Sequence, residues 1–522
     1  MVIHPKIRQL KWISWCIIIL FLFFHEQLFS QQSDIKITLN INNRKLSDIL
    51  DSLSTRFNVN FSYNAEIPAM REIRTISITA GLDEILSKLL QSERLEFSKD
   101  GNHIIIYKTL SLPPDEPIQK KIEKFIVFKG KIFEKKTSTP LPFASVSISR
   151  SSIGTVANDN GEFTIRVPDS LIHDTLIISF IGFQTEKRYL NSLVGNFINI
   201  SLNENPVNID KVIIKPLSGL EIVKEMIENI GKNYSRQNAM YTAFYREATR
   251  KDDDYISICE AVLDISKASY SSRLYNDQAR IFKGRKTEDT KQMQKLSYKL
   301  EGGVYNCLSL DVIKEKASFL SYESFDQYDY TVIRKVPYNN QILIVVEFKQ
   351  KENVEMPFYD GIMYIDAKTK ALVATKFCLS PSGLKYARSL LVKKEPSKYQ
   401  LKPIGAEYQV YYRNINGKWY LDYLRGEIKI KAKSNKWFFN STFTSFSEIA
   451  VTEIDTNNTA RFKWNEITKS SDIMVDFLKD NDENFWSNYN LIQPNQPLQE
   501  AIKKINIKKS LYTDKSEKDK LF

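Results

Sequence analysis

The sequence predicts an α+β protein that is mostly β and contains several domains. Its 522 residues are enough for about three separate cores. Two strand-helix repeats lie near the start, and short runs of alternating apolar and polar residues dominate the rest. We therefore expect a small duplicated βαβ module, a β-sandwich, and a large antiparallel meander with flanking helices. A meander of this length has to curl like a half-barrel to cover its edges.

Residues 1–30 have the pattern of a secretory signal peptide. Three basic residues precede an apolar run from Trp12 to Phe24, and Ser30 provides a small residue for cleavage. This run is shorter than the ~20 residues that span a bilayer. An uncleaved anchor is the alternative. We expect the mature chain to be exported and to lie in the periplasm or in association with the outer membrane.

Residues 34–108 contain a duplicated pattern. The segments LSDILDSL, from Leu46, and LDEILSKL, from Leu82, each follow an alternating strand and carry an apolar stripe at helical spacing. Their order and spacing resemble the short N-terminal domain shared by secretins and TonB-dependent signalling receptors. The resemblance implies a periplasmic interaction module that contacts an envelope protein and carries no catalysis. Residues 109–124 contain SLPPDEP, and these prolines predict an extended linker.

Residues 125–204 predict a β-sandwich, because short alternating strands are separated by turn residues at even spacing. Asn160-Gly161 tolerates positive φ and predicts a tight turn. The segments PLPFASVSI, GTVANDNGEFTI and LIISFIGFQT resemble the carboxypeptidase regulatory-like domain, a transthyretin-like sandwich. That resemblance implies a scaffold or an adhesion domain, since the catalytic site of the peptidases lies on a different domain.

Residues 217–502 predict a C-terminal antiparallel β domain with turns at hairpin spacing. FYDGIMYIDAKTKALVATKF and NGKWYLDYLRGEIKI resemble the strand pairs of periplasmic lipoprotein-carrier-like folds. NYSRQNAMYTAFYRE and ENFWSNYNLIQPNQPLQEAI resemble an uncharacterised family of envelope proteins. Residues 503–522 are rich in lysine and predict a flexible tail, with binding to an anionic surface or lipid as the alternative.

The composition offers little for catalysis. The chain has four histidines, and beyond residue 30 only His103 and His173 remain, neither followed by Glu or Asp three residues later, the spacing that is usual for a zinc carboxypeptidase. A zinc peptidase or a Ser-His-Asp triad would have to use these two residues. We therefore expect no enzymatic activity, no metal and no other cofactor. Cys259, Cys307 and Cys378 show no disulfide spacing and predict small core residues, although oxidation of one pair stays open.

Aromatic residues make up 12% of the chain, and many lie in the C-terminal strands. They predict either core or a binding groove. The candidate binding surface consists of Tyr411, Tyr412, Trp419, Tyr420, Trp437 and Phe438. The expected function is non-enzymatic binding or assembly in the envelope through protein or surface interactions. The alternatives are a periplasmic lipid or lipoprotein carrier and an accessory to TonB-linked signalling or uptake. Nucleic acid is not expected as a partner of an exported protein, despite the net charge of +12.

Overall fold

The computed structural model describes most of the chain beyond the predicted signal peptide. The described residues are 37–57, 59–63, 72–90, 95–100, 103–108, 124–205, 218–272, 275–289, 299–300, 303–394, 399–434, 440–463, 466–469, 472, 474, 478–480 and 489–518. Residues 1–30 and the predicted linker up to residue 123 lie outside them. The chain forms two compact units, Met1–Ile122 and Glu123–Phe522. Among the described residues, no helix is long and apolar enough to cross a membrane.

The described part of the first unit is the predicted duplicated module. It consists of β1 (Ile37–Lys45), α1 (Leu46–Phe57), β2 (Asn60–Tyr63), β3 (Ile73–Ala80), α2 (Leu82–Leu90), β4 (Leu95–Asp100) and β5 (His103–Lys108). Strand β1 pairs antiparallel with β3, while β5 lies between β2 and β4. Both helices bury their apolar stripe. Leu50 in α1 and Leu86 in α2 are fully buried, and burial of such a side chain contributes about 1.5–3 kcal/mol.

The predicted β-sandwich begins the second unit. Its strands are β6 (Phe125–Glu134), β7 (Ser145–Ile148), β8 (Gly154–Val156), β9 (Glu162–Pro168), β10 (Thr175–Ser179), β11 (Glu186–Tyr189) and β12 (Phe197–Leu202). They form one sheet in the order β11-β10-β7-β8 and another in the order β12-β6-β9. The predicted turn at Asn160-Gly161 is present. Gly161 has φ +73°, and a Cβ there would lie 2.2 Å from the Ile132 carbonyl oxygen, so this position requires glycine.

The rest of the second unit contains a large sheet. Its strands, together with the short pair β16 and β21, are β13 (Ala239–Lys251), β14 (Asp254–Lys267), β15 (Gln278–Glu288), β16 (Lys299–Leu300), β17 (Tyr328–Tyr338), β18 (Gln341–Gln350), β19 (Tyr359–Asp366), β20 (Leu372–Leu379), β21 (Val392–Lys394), β22 (Tyr399–Ile415), β23 (Lys418–Ser434), β24 (Asn440–Asp455) and β25 (Lys479–Asp480). The order is β17-β18-β19-β20-β22-β23-β24-β13-β14-β15-β25. Apart from the two-residue β25, neighbouring strands are antiparallel, and the sheet does not close on itself. The predicted unclosed meander is thus confirmed.

Helices surround this sheet. They are α3 (Gly219–Glu228), α4 (Ile230–Asn233), α5 (Gly303–Leu308), α6 (Val312–Glu315), α7 (Gly383–Tyr386), α8 (Arg388–Leu391) and α9 (Gln496–Lys518). We call the inner face the side of the sheet that packs against α3, α5 and α6. Tyr241, Ala243 and Tyr245 of β13 point to this face and belong to one large core with residues of those helices. Aromatic rings fill part of it, and the Phe319 and Phe348 rings stack with centroids 4.2 Å apart.

The opposite side of the sheet, the outer face, carries the alternate residues of the same strands. Phe244 of β13, Tyr423 of β23 and Ala450 of β24 are buried there against Val156 of the sandwich and Ile492. The Phe143 ring of the sandwich stacks on Tyr423, with centroids 5.2 Å apart. The sandwich therefore covers part of the outer face, and the two predicted domains share one compact unit.

The C-terminal segment differs from the predicted flexible tail. Helix α9 continues through residue 503 and buries Leu498 and Ile505 against Ala248, Ile258 and Phe446 on the outer face. Lys504 donates a hydrogen bond to Asp254 at 2.8 Å. The prediction placed the boundary at the first lysines, which divided an apolar stripe that runs at helical spacing from Leu498 to Ile505.

Candidate functional site

A polar cleft of about 710 Å³ lies between the sandwich and one end of the large sheet. One wall is the outward side of the sheet β11-β10-β7-β8. Strand β7 reads SVSI, so Val146 and Ile148 enter the sandwich core while Ser145 and Ser147 face the cleft. Ser147 lies opposite Ile177, and Ile177 lies opposite Lys187. Alternation in three neighbouring strands thus builds this polar wall.

The facing wall consists of hairpin tips of the large sheet. Asn339-Asn340 joins β17 to β18, and Asn416-Gly417 joins β22 to β23. All four residues have positive φ, as two-residue hairpin turns of the favoured type require. Both tips therefore present carboxamide side chains to the cleft.

The two walls are held together by direct hydrogen bonds. The Thr185 hydroxyl donates to the Asn339 side chain at 2.9 Å, and the Gly182 N–H donates to the Pro337 carbonyl at 2.9 Å. Gly182 has φ +88°, which explains why glycine occupies this position. The tip of the β17-β18 hairpin is thus anchored to the sandwich.

Arg413 lines the cleft and pairs with Asp422, which does not line it. The Arg413 Nε lies 3.3 Å from Asp422 Oδ1, and both side chains are nearly buried. Arg413 crosses β8 at Gly154, where a Cβ would lie 1.8 Å from a guanidinium nitrogen. Burial raises the pKa of the Asp422 carboxyl, while Arg413 and a hydrogen bond from Ser145 act in the opposite direction. A larger residue at 154 would displace the arginine.

A buried charge network on the outer face lies below the sandwich. Arg246 reaches Glu260 at 2.8 Å and Glu448 at 3.1 Å, and it also donates to the Ile492 carbonyl at 2.7 Å. Glu260 also accepts from Arg285 at 2.7 Å, and Glu448 from Arg425 at 3.1 Å. Burial by itself lowers the pKa of Arg246, but the two glutamates outweigh it and raise the pKa. The network keeps its charges paired under the sandwich.

A second buried cluster, the inner-face cluster, consists of Lys267, Asp277 and Asp311. Lys267 Nζ lies 2.5 Å from Asp277 and 2.6 Å from Asp311. Asp311 precedes α6 and accepts from the Lys314 backbone N–H at 3.3 Å, which is the position of an N-cap. Burial favours neutral Lys267, but the two aspartates outweigh it and raise its pKa.

The structure separates the sequence-predicted aromatic residues and does not bring them together as one surface. Tyr412 is 1% exposed and donates a hydrogen bond to Asp311 at 2.6 Å, so it lies in the interior. Trp419 and Tyr420 are also buried, and they form part of the cleft's lining. Tyr411 is half-buried, and its ring lies 6.1 Å from that of Tyr423 on the outer face. Trp437 and Phe438 lie outside the described residues.

The residues that form most of the cleft were not singled out from the sequence. The sequence predicts the serines of β7 as sandwich residues and the asparagines of the two tips as turn residues. The sequence did contain a signal for these polar positions. One tip is Asn339-Asn340, the other is Asn416-Gly417, and SVSIS, from Ser145, alternates strictly between serine and apolar residues. What the sequence cannot show is that these segments, almost 200 residues apart at Ser147 and Asn340, lie opposite each other.

None of the described residues that line the cleft is His, Cys, Asp or Glu. In the whole described part of the chain, no group of three or more His, Cys, Asp or Glu could hold a metal ion. His173 is an exposed loop residue. The three cysteines beyond residue 30 are free, and burial raises the pKa of the Cys307 thiol to about 12.

Two family models match parts of the chain. Residues 128–214 match the family described as "CarboxypepD_reg-like domain", so the predicted regulatory-like resemblance of the sandwich is confirmed. Residues 38–106 match the family described as "FecR, C-terminal", and this match covers the duplicated module. Each match covers less than half of the chain. No curated protein matches it.

Solved structures with some similarity come from bacterial proteins. One is a domain assigned as an outer membrane lipoprotein-sorting protein from Vibrio parahaemolyticus, with 8% identity, 47% of this chain and 95% of that chain covered, and a TM-score of 0.19. Another is a DUF1329 family protein from Desulfovibrio piger, with 10% identity, 48% and 98% covered, and a TM-score of 0.21. The ferripyoverdine receptor of the Pseudomonas aeruginosa outer membrane has 8% identity, 83% and 61% covered, and a TM-score of 0.15. With TM-scores this low, the fold rests on the strands described above.

Proposed function

We propose that this protein is a non-enzymatic binding and assembly protein of the cell envelope. Its ligand or partner would bind in the cleft between the sandwich and the large sheet. The observation that carries the proposal is the cleft itself, at about 710 Å³, with two walls from different domains anchored to each other. Binding sites commonly lie at such domain boundaries and have volumes in this range.

Export to the periplasm or the outer membrane belongs to the same proposal. It is supported by the signal-peptide pattern in residues 1–30 and by the regulatory-like sandwich. In this arrangement the sandwich is a scaffold. It supplies a polar wall and protects the outer face, while the sheet supplies the opposite wall.

Crosslinking in intact cells tests the proposal. A photoreactive residue at position 147 replaces a half-buried serine in the cleft, and the same residue at position 192 replaces an exposed serine outside it. We expect a distinct adduct at position 147 that is missing at 192. Identical adducts at both positions would contradict binding in the cleft. The non-enzymatic part would be overturned if the purified mature chain turned over a peptide or a glycan and lost this activity when a single Asp or Glu was replaced.

A second candidate function is an accessory role in TonB-linked signalling or uptake. It is supported by the match of residues 38–106 to the FecR C-terminal family and by the resemblance of the same module to a periplasmic interaction domain. Deletion of residues 35–108 should then abolish the capture of envelope partners in a pull-down. Unchanged capture would exclude this role.

The lipid or lipoprotein carrier alternative has weaker support. Its ligand would have to enter the inner face. In the described residues that face is filled by side chains such as Phe319, whose ring centroid lies 4.2 Å from that of Phe348 and 5.2 Å from that of Phe377. Acyl chains recovered by organic extraction of the purified protein would restore this alternative.

A further inference from the structure

The charges around the cleft are unbalanced. The residues that line it include four cations, Arg150, Lys187, Arg413 and Lys418, while none of the described lining residues is Asp or Glu. Two of the cations pair with carboxylates that do not line the cleft, Arg150 with Asp174 at 2.7 Å and Arg413 with Asp422 at 3.3 Å. The remaining two lysines therefore determine the net charge that a ligand encounters.

Neither lysine is neutralised within the described part of the chain. Lys187 is exposed on β11, at the sandwich wall. Lys418 donates to the Lys232 carbonyl at 2.5 Å, and this partner is a neutral group that leaves the ammonium charge uncompensated. The two lysines approach the cleft from opposite walls, which favours an anionic ligand between them.

The uncharged lining is made of groups that both donate and accept hydrogen bonds. Carboxamides from Asn340, Asn414 and Asn416 lie on the sheet side, and hydroxyls from Ser147 and Ser149 lie on the sandwich side. A side-chain amide offers two donors and one acceptor oxygen, and a hydroxyl offers one donor and two lone pairs. Such a lining matches a ligand that is itself dense in hydroxyl groups.

The geometry disfavours an extended peptide. Peptides that bind to a sheet by strand addition pair with the backbone of an edge strand. The sandwich wall of the cleft is instead the side-chain face of the sheet, on which β7 and β10 have their backbone groups paired on both sides and β11 is the edge strand. The polar contacts available to a ligand there come from side chains.

We propose that the cleft binds an acidic saccharide, a sugar or oligosaccharide that carries carboxylate or phosphate groups. Lys187 and Lys418 contact the acidic groups, and the serines and asparagines contact the hydroxyls. This inference rests on the proposed function, because it names the ligand class of the same cleft.

The test titrates the mature chain with defined probes by calorimetry. Hexagalacturonate and a mannose phosphate carry the two acidic groups, maltohexaose is a neutral saccharide, and hexaglutamate is an acidic peptide. We expect at least one acidic saccharide to bind about tenfold more tightly than both maltohexaose and hexaglutamate. Its affinity should fall as salt is added, because ionic screening weakens the lysine contacts.

Substitutions locate the binding. The double variant K187Q/K418Q should lose about tenfold in affinity for the acidic saccharide. The matched control is Lys129→Gln, an exposed lysine on β6 of the same sandwich that does not line the cleft. It should bind as the unmodified chain does. Equal weakening in both variants would overturn the site.

The remaining outcomes separate this inference from the proposed function. If maltohexaose binds as tightly as the acidic probes, the ligand need not be acidic and the charge argument is wrong. If hexaglutamate binds as tightly, the ligand need not be a saccharide and the assigned ligand class is wrong. If no acidic saccharide binds, the inference is wrong. Binding in the cleft itself is decided independently, by the crosslink at position 147.

Discussion

The two faces of the large sheet bury charge in different ways. On the inner face, Lys267 is the shared partner of Asp277 and Asp311, so the cluster depends on a single cation. On the outer face, Glu260 and Glu448 share Arg246, but each also has an arginine of its own. In the described part of the chain, Lys267 is the one cation within ion-pair distance of the two aspartates, whereas each glutamate of the outer network has a second arginine. The loss of stability when the central cation is removed should therefore depend more on the presence of a second cation than on burial.

The largest expected effect follows from Lys267→Met. Removal of the lysine leaves two nearly buried aspartates without their cation, and breaking a buried pair in this way costs about 3–5 kcal/mol. Urea unfolding of the mature chain should show a lower midpoint, with a decrease equal to that loss of free energy divided by the slope m. Lys349→Met is the control, because Lys349 is 59% exposed and its pairing with Glu347 contributes about 0–1 kcal/mol. Comparable losses in the two variants would contradict the role of the inner-face cluster.

A smaller loss is expected from Arg246→Met on the outer face. Glu260 keeps Arg285 and Glu448 keeps Arg425, so we expect a loss of roughly 2–3 kcal/mol, below the range for an uncompensated buried charge. The same urea experiment measures it. A loss as large as that of Lys267→Met would show that the additional arginines do not compensate.

The outer face also explains how far sequence reasoning could go. The duplicated module, the sandwich and the meander follow from strand and helix periodicity, which is local information. Arg246, Glu260 and Glu448 are charged, and such side chains are rarely buried unless they are paired, so residue type alone favours exposure for them. They are buried because the sandwich, Ile492 and α9 cover that side of the sheet, and such covering depends on contacts between distant segments.

The candidate site shows the same limit. Tyr412 and Trp419 belong to an aromatic-rich stretch and were predicted as either core or groove, and the structure buries both. The alternation of Ser145 and Ser147 with Val146 was visible, but a polar strand face usually meets solvent. Only the position of the Asn339-Asn340 tip converts that face into one wall of a cleft.

The contact between the sandwich and the outer face can be tested with Val156→Ala. Val156 is 3% exposed and packs against Phe244, Tyr423 and Ile492, so its truncation should cost about 1–2 kcal/mol through lost burial and the resulting cavity. Scanning calorimetry should show a lower transition temperature for the second unit. Val127→Ala, at a position 44% exposed on β6, is the matched control and should change little. Equal shifts would argue that the sandwich is energetically independent of the sheet.

The smallest effect, and the one that depends on pH, concerns Glu247 on the inner face. Its carboxylate accepts from the Tyr245 hydroxyl at 2.6 Å and from the Gly303 N–H at 3.2 Å, and no cation pairs with it among the described residues. Burial raises the pKa of Glu247, although these hydrogen bonds act in the opposite direction. Between the unfolded and the folded pKa the native state binds more protons than the unfolded state, so this group makes stability fall as pH rises through that window.

Glu247→Gln removes this titration and keeps an oxygen that can accept both hydrogen bonds. We expect the unfolding free energy of the variant to equal or slightly exceed that of the unmodified chain at neutral pH, with the difference shrinking as pH falls through the folded pKa. Urea midpoints measured from acidic to neutral pH check this. Because the pKa of Lys267 is raised, Lys267 stays charged throughout that range, and Lys267→Met should lower stability at neutral pH without the pH dependence expected of Glu247→Gln. A Gln variant that is less stable at neutral pH, with a difference that disappears in acid, would reverse the sign and place a stabilising negative charge at Glu247.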